Sequence, residues 1–106
     1  MATIEDFAKL DIRVAEVIDL RPHPNADKLF VLEIEVGTER RQIVAGLRPY
    51  YRREELVGKK IVVVANLDPV KLRGEESRGM LLAAQDGSSV VILVPERDVP
   101  AGSKVR

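Results

Sequence analysis

Two polar segments of the chain, residues 21–28 and residues 66–80, carry the side chains whose types could do chemistry. The first segment offers an amide at Asn25 and an amine at Lys28. The second offers three cations, a hydroxyl, an amide and a thioether: Lys71, Arg73, Arg78, Ser77, Asn66 and Met80. Cationic, amide and hydroxyl groups in this mixture are typical of contacts to phosphate and sugar oxygens. A polar connection as long as the second segment is also uncommon in a small domain unless it binds something.

These residues also have structural interpretations. Asn25 and Asp27 could bond nearby backbone amides in a turn that the flanking prolines stiffen, and Lys28 could simply be solvated. Met80 begins an apolar run, so core packing is the default expectation for its side chain. The residue types alone leave both interpretations open.

The residues that catalysis or metal binding needs are missing or isolated. The chain has no cysteine, and its one histidine, His23, lies between two prolines, a setting that predicts a turn exposed to water. Nucleophilic and general acid–base chemistry need paired groups within hydrogen-bond reach. One histidine with scattered carboxylates also lacks metal-ligand spacing. We therefore expect a protein that is not an enzyme and holds no metal or cofactor.

The length of 106 residues fits one domain, residues 1–106, with a single core. The longest apolar runs are five residues, whereas a membrane helix needs about 20. The acidic N-terminus lacks the apolar stretch of a secretory signal. The expected location is the cytoplasm, with no membrane partner, and Met1 directly ahead of the domain favours a free-standing or separately encoded subunit.

The zero net charge hides two opposed blocks. Residues 1–39 hold four basic and nine acidic groups, and residues 40–78 hold ten basic and five acidic groups. A neutral total built in this way can still give one positive face in the fold. The alternative is a solvated surface in which the two signs pair.

The apolar pattern predicts short β-strands. The runs that indicate strands are, in chain order, residues 12–20, 30–36, 41–45, 61–65, 80–84 and 90–94. A defect in the alternation at Glu16 and Val17 predicts a bulge in the first strand. The fourth run is apolar on both faces and predicts a central strand, while residues 49–58 suit one or two helical turns.

This order predicts an all-β fold, a five-stranded Greek-key OB-fold barrel with one short helix after strand 3 and an extra C-terminal strand and tail. A ubiquitin-like roll and an SH3-like barrel are competitors, but neither places its helix there so naturally. In OB-folds the loops after strands 1 and 4 flank the ligand face. The two polar segments are those loops.

Four stretches carry a resemblance to a known family: Phe7 to Val14, Asn25-Ala26-Asp27-Lys28-Leu29, Val44-Ala45-Gly46, and Asn66-Leu67-x-Pro69-x-Lys71-x-Arg73-Gly74-x-x-Ser77-x-Gly79-Met80. They resemble the structure-specific tRNA-binding domain found at the C-terminus of bacterial methionyl-tRNA synthetases, as free-standing tRNA-binding proteins and in the endothelial-monocyte-activating cytokine precursor. The resemblance implies an OB-fold homodimer that recognises the tRNA elbow irrespective of anticodon. It also implies an RNA face that includes Asn25, Lys28, Asn66, Lys71, Arg73, Ser77 and Met80, to which charge adds Arg78.

The aromatic content indicates how RNA would be recognised. Only Phe7, Phe30, Tyr50 and Tyr51 are present, and Phe30 fits the core. Binding single strands without sequence preference usually needs several stacking aromatics. We therefore expect contacts to the backbone and to folded shape, as in a tRNA corner.

Three functions compete. The first is a tRNA-binding module that acts as a free-standing protein or with a methionyl-tRNA synthetase subunit. The second is a protein-binding chaperone related to the secretion chaperones of this fold. The third, a structural dimerisation domain, would leave the long basic segment unexplained.

The apolar residues beyond a five-stranded barrel predict a two-fold homodimer. The residues that we expect at its interface are Ile4, Phe7, Val91, Leu93 and Val99. The alternative is that the C-terminal tail packs on its own barrel.

Overall fold

The computed structural model describes residues 1–106, which form two short helices and ten strands. The helices are α1 (Ile4–Ala8) and α2 (Arg53–Leu56). The strands are β1 (Ile12–Pro22), β2 (Phe30–Val36), β3 (Glu39–Ala45), β4 (Lys60–Val64), β5 (Val70–Leu72), β6 (Glu75–Ser77), β7 (Met80–Leu81), β8 (Ala83–Asp86), β9 (Ser89–Ile92) and β10 (Lys104–Val105). The predicted all-β fold with a short helix after the third strand is confirmed. Neither helix is long and apolar enough to cross a bilayer.

The long strand β1 organises the main sheet, because it pairs on both of its sides. It pairs with β4 over its first half and with β2 over its second half, both antiparallel. The resulting strand order is β3-β2-β1-β4-β7, with β10 alongside the start of β1. The run at residues 61–65 is therefore an interior strand, as its two apolar faces predict.

The sheet curls into a barrel because the chain after β6 returns to the free edge of β3. The amide of Arg78 donates to the carbonyl of Gln42 at 2.9 Å, and the amide of Val44 donates to Ser77 Oγ at 2.9 Å. The next residues pair with β4 as β7, which completes the circuit. Residues 77–79 thus connect the two edges of the sheet.

The core fills the barrel with alternate side chains of the strands. Phe30, Leu32 and Ile34 of β2 point inward, as the period-two pattern predicts. Leu56 of α2 and Leu47 of the preceding loop are also buried in this cluster. The helix therefore closes one end of the barrel. On the outer face of β2 and β3, Glu33 and Arg40 are exposed, while Val31 and Val44 are buried.

The predicted bulge in β1 lies further along the chain than we expected. The irregularity in the pairing with β2 falls between Val17 and Asp19, not at Glu16 and Val17. It keeps Val17 and Leu20, which are three residues apart, both in the core. The position was misjudged because Val17 continues the buried face instead of interrupting it.

Two parts of the second half differ from their predicted outline. The polar connection at residues 66–79 contains the β5–β6 hairpin, and the predicted strand at residues 80–84 is divided between β7 and β8. Strands β8 and β9 pair as a hairpin across Asp86 to Ser89. The C-terminal tail packs on its own barrel in part, since Lys60 Nζ donates to the Val99 carbonyl at 2.8 Å and the Gly102 amide to the Val14 carbonyl at 2.7 Å.

Candidate nucleic-acid interface

Three contacts join the loop after β1 to the β5–β6 hairpin. His23 Nε2 lies 2.8 Å from the carbonyl oxygen of Leu72. An Arg73 guanidinium nitrogen donates to the carbonyl of Asn25 at 3.3 Å, and Arg21 pairs with Glu75 at 2.9 Å. The two polar segments, which lie far apart in sequence, therefore form one surface. We call residues 21–29 together with residues 66–80 the two-loop surface.

His23 is buried, so the prediction of a water-exposed turn residue is wrong. Only 2% of its surface is accessible. Its Nδ1 accepts the Asn25 amide at 2.9 Å, and its Nε2 faces the Leu72 carbonyl. Because both ring nitrogens have partners, the imidazole can be enclosed without leaving a polar atom unpaired.

Four of the five basic side chains of the two-loop surface lack an acidic partner, and the fifth, Arg21, pairs with Glu75. Ten of the 17 lysines and arginines have a carboxylate oxygen within 4.0 Å. The seven without one are Lys28, Arg48, Lys59, Lys71, Arg73, Arg78 and Arg106. This group includes all four cations predicted as phosphate contacts. Each of those four can meet an anion without giving up an existing ion pair.

The predicted contact residues at the outside of this surface are exposed. They are Asn25, Lys28, Lys71, Arg73, Arg78 and Met80. Met80 shows 49% of its surface, so the default expectation of core packing is wrong for its side chain. Cationic, amide and thioether groups are thus presented together to solvent.

Ser77 and Asn66 hold the hairpin segment at its ends instead of pointing their polar groups outward. Ser77 is buried; its Oγ accepts the Val44 amide and donates to the Gly79 carbonyl at 2.9 Å. The Asn66 amide oxygen accepts the Asp11 amide, and its nitrogen donates to the Lys9 carbonyl, both at 2.7 Å. Both side chains already use their hydrogen bonds within the protein.

The tip of the hairpin has an unusual backbone. Arg73 has φ of +52°, and Gly74 has φ of +94°, as a two-residue hairpin turn with two left-handed positions requires. Arg73 is the only residue other than glycine with positive φ, a conformation that costs about 1–2 kcal/mol. The bond to the Asn25 carbonyl and the strand pairing on either side hold this tip in place.

Sequence reasoning missed a shallow depression of about 480 Å³ on the outer face of β1, β2 and β3. Its polar lining consists of Asp19, Arg21, Glu33, Arg40, Arg41, Gln42 and Arg78. Glu33, Arg40 and Gln42 alternate with core positions, so the period-two pattern extended to polar residues would have found them. Arg40 pairs with Glu33 at 3.2 Å, which partly neutralises the depression.

Arg48 was also missed. It is half-buried in the loop after β3 and has no acidic partner. The start of that loop lies beside the two-loop surface, since a Cβ at Gly46 would sit 3.9 Å from the Leu29 side chain. No motif marked this arginine in the sequence.

The carboxyl groups with perturbed pKa lie outside the hairpin. A hydrogen bond from the Arg13 side chain lowers the pKa of Asp11, and one from Arg53 lowers the pKa of Asp19. The pKa of Glu55 is lowered by the backbone amide of Arg52. All three carboxyl groups therefore favour the anion more strongly in the folded chain than in the unfolded chain. No three side chains of the types that ligate metals lie close enough together to hold an ion.

Comparisons with known proteins agree with this geometry. A family model described as "Putative tRNA binding domain" matches residues 12–104. The chain is 56% identical over 102 residues to a methionine–tRNA ligase of Pyrococcus horikoshii, covering 96% of this chain and 14% of that protein. It thus spans about one seventh of the length of these curated relatives.

Solved structures share the whole fold. A methionyl-tRNA synthetase-related protein from Pyrococcus horikoshii superimposes with a TM-score of 0.93 at 34% identity, over 100% of this chain and 98% of that one. The CsaA chaperone protein of Picrophilus torridus gives a TM-score of 0.93 at 30% identity over all of both chains. The match over residues 12–104 covers both the barrel and the two-loop surface. The chain therefore belongs to the tRNA binding domain family.

Proposed function

We propose that this chain binds tRNA through the two-loop surface and performs no chemistry on it. The observation that carries the proposal is that Lys28, Lys71, Arg73 and Arg78 are exposed and lack acidic partners, while most other cations are paired. The family match supports RNA as the anion. The loops also flank the outer face of β2 and β3, the face that OB-folds use for ligands.

The form of tRNA recognised is the folded elbow, irrespective of the anticodon. Phe30 is buried and Tyr51 uses its hydroxyl to accept the Ile92 amide, which leaves Phe7 and Tyr50 as exposed aromatics. Two scattered rings form no stacking platform for a single strand. Contacts to phosphates and to a fixed shape therefore carry the recognition. Ser77 and Asn66 contribute by positioning the hairpin segment.

The dependence of affinity on salt tests this proposal. Each neutralised phosphate releases counterions, so the logarithm of the binding constant should fall by nearly one per logarithm of salt for each contact. Four cations predict about three to four contacts per chain, measured by filter binding of bulk tRNA across a salt series. A matched control is Arg97→Ala, which removes a positive charge paired only to neighbouring Glu96. A slope that is unchanged in Lys71→Ala and Arg73→Ala would exclude the hairpin.

The proposed assembly is a homodimer formed through the apolar face. Ile4, Phe7, Val91 and Leu93 are exposed, while Val99 is half-buried by the tail. Helix α1 buries none of its residues on its own barrel. Exposed apolar side chains in this number favour an interface between copies. Sedimentation equilibrium that shows only an 11.8 kDa species at micromolar concentration would exclude the dimer.

The proposed context is the cytoplasmic translation machinery, as a free-standing tRNA-binding protein or with the catalytic part of a methionyl-tRNA synthetase. The methionine–tRNA ligase relatives support this context, because the match to the Pyrococcus horikoshii ligase covers 96% of this chain. A pull-down of purified synthetase lacking its own copy of this domain tests the association. Absence of binding with and without tRNA would leave the free-standing form.

A protein-binding chaperone is the second candidate. The TM-score of 0.93 with a CsaA chaperone protein favours it, since the two backbones are nearly the same. A panel of bulk tRNA, duplex RNA and an unfolded client protein separates the candidates. Preferential binding of the client, insensitive to Lys71→Ala, would favour the chaperone.

A further inference from the structure

The two hydrogen-bond partners of the buried imidazole of His23 fit one tautomer of the ring. The Asn25 amide is a donor only, so Nδ1 must accept from it and carries no proton. The Leu72 carbonyl is an acceptor only, so Nε2 must donate to it at 2.8 Å. Both contacts are satisfied together only by the neutral ring with its proton on Nε2.

These two bonds do different things. The bond to Asn25 lies within one loop, two residues along the chain, and shapes a local turn. The bond to Leu72 crosses 49 residues and reaches the strand end directly before the Arg73-Gly74 turn. Of the three side chains that make contacts between the loops, His23 is the only buried one, because Arg21 and Arg73 are exposed.

The groups around the imidazole explain why this bond matters for the cations. Arg73 and Glu75 follow Leu72 along the hairpin, and Arg21, Asp27 and Lys28 belong to the segment that contains His23. The ion pair and the Arg73 bond face water, where such contacts contribute little. The bond to Leu72, made by a buried side chain, is therefore the least water-exposed of the three contacts that hold the hairpin to the segment after β1.

We propose that His23 is a positioning residue for RNA binding, whose Nε2–H fastens the β5–β6 hairpin to the loop after β1 and so sets the spacing of the cations on the two loops. The proposal rests on the proposed tRNA function for its affinity readout only. The fastening itself is a property of the protein alone.

Two variants of His23 separate its two bonds. In His23→Asn the amide oxygen takes the place of Nδ1 and keeps the local turn to Asn25, but the side chain is too short to reach Leu72. In His23→Gln the amide nitrogen takes the place of Nε2 and keeps the reach to Leu72. We expect His23→Asn to weaken tRNA binding about two- to tenfold, the range for loss of one net hydrogen bond, and His23→Gln to restore most of it.

Amide hydrogen exchange of the hairpin provides a readout without RNA. In His23→Asn the amides of residues 70–77 should exchange faster than in the parent, while those of β1 and β2 stay unchanged. His23→Gln should retain the slow exchange of the parent. If the parent failed to bind tRNA, the proposed function would fall, and the exchange data would still decide whether His23 fastens the hairpin.

The unaltered protein offers a third measurement. Its single histidine gives one pair of imidazole signals in a sample labelled with nitrogen-15 at histidine, so assignment is unambiguous. We expect the neutral tautomer with a slowly exchanging proton on Nε2. A proton on Nδ1, or equal losses of affinity in His23→Asn and His23→Gln, would overturn the proposal.

Discussion

Two exposed regions of this molecule differ in chemistry and in the way that they are held. The two-loop surface presents cations without acidic partners, and hydrogen bonds between segments far apart in sequence hold it. The residues of the proposed dimer interface, here called the apolar face, include the exposed Ile4, Phe7 and Leu93, and none of the residues of α1 is buried on its own barrel. Four cations of the first region lack an acidic partner, and the side chains of the second lack apolar cover. Each is therefore suited to a different partner, an anion in the first case and a second copy in the other.

The difference also indicates where each region is vulnerable. Replacing a buried polar group such as Ser77 removes partners from other backbone atoms, so the damage spreads through the barrel closure. Replacing an exposed apolar group leaves the single chain intact and affects only association. Stability and assembly should thus respond to different substitutions.

The largest expected effect is on the apolar face. Leu93→Asp would place an unpaired carboxylate in the proposed interface, where its desolvation costs several kcal/mol. The dissociation constant of the dimer should therefore rise by at least about 100-fold. Sedimentation equilibrium measures it. The control is Val70→Asp, an exposed apolar position on the hairpin, which should leave the dimer unchanged. Equal behaviour of the two variants would remove the distinction between the regions.

Ser77→Ala should have the next largest effect, on stability. It leaves the Val44 amide without its partner at a buried site, which costs about 1–3 kcal/mol. Urea unfolding at fixed protein concentration measures the loss of unfolding free energy. Ser103→Ala is the matched control, because that hydroxyl bonds only an exposed carbonyl within its own turn. A loss in Ser77→Ala no larger than in the control would show that residues 77–79 do not hold the barrel closed.

Arg73→Ala should change RNA binding with little change in stability. Loss of one phosphate contact lowers the salt slope by about one and weakens all tRNAs about equally, because phosphate contacts carry no sequence information. Arg73→Lys keeps the charge and should retain the slope, which separates charge from the turn geometry. Selective loss for one tRNA species would instead indicate a base contact.

The strands, and the four cations that the structure leaves exposed, could be named from the sequence because their signals are local. The alternation of Phe30, Leu32 and Ile34 marks β2 without reference to any other strand. The four basic residues are marked by type and segment alone. What makes them available is the absence of acidic partners, which depends on how the chain folds and is visible only in three dimensions.

The burial of His23 and Ser77 could not be predicted because their partners lie far away in sequence. Two flanking prolines favour an exposed turn, and nothing near His23 indicates that Leu72 will cover it. Ser77 lies in a polar run, yet its hydroxyl accepts the backbone amide of Val44 at the edge of β3, 33 residues earlier in the chain. Local composition describes the surface of a segment poorly when another segment folds over it.

The smallest expected effect concerns Asp11, which lies between the two regions. Its amide donates to Asn66 at the start of the hairpin segment, and its carboxylate accepts from Arg13 at 2.6 Å. The Arg13 hydrogen bond lowers the pKa of Asp11 below its ordinary value, so the folded state favours the anion. The resulting stabilisation is present above the unfolded-state pKa of about 3.9 and is lost as pH falls through the lower folded-state pKa. Because the side chain is 35% exposed, it should amount to about 0.2–1 kcal/mol.

Asp11→Asn tests this sign directly. Its unfolding free energy should fall below that of the parent at pH 7. The difference should shrink as the pH falls below the unfolded-state pKa and through the lower folded-state pKa, because below both values the two proteins carry a neutral group at residue 11. Urea unfolding at several pH values and one protein concentration gives the difference in unfolding free energy between the two proteins. The contributions of Asp19 and Glu55 to the pH dependence are the same in both proteins and cancel in this difference. The salt dependence of tRNA binding at pH 7 should be unchanged, because Asp11 is not part of the two-loop surface. A difference that grows at low pH would mean that the Arg13 contact does not favour the anion.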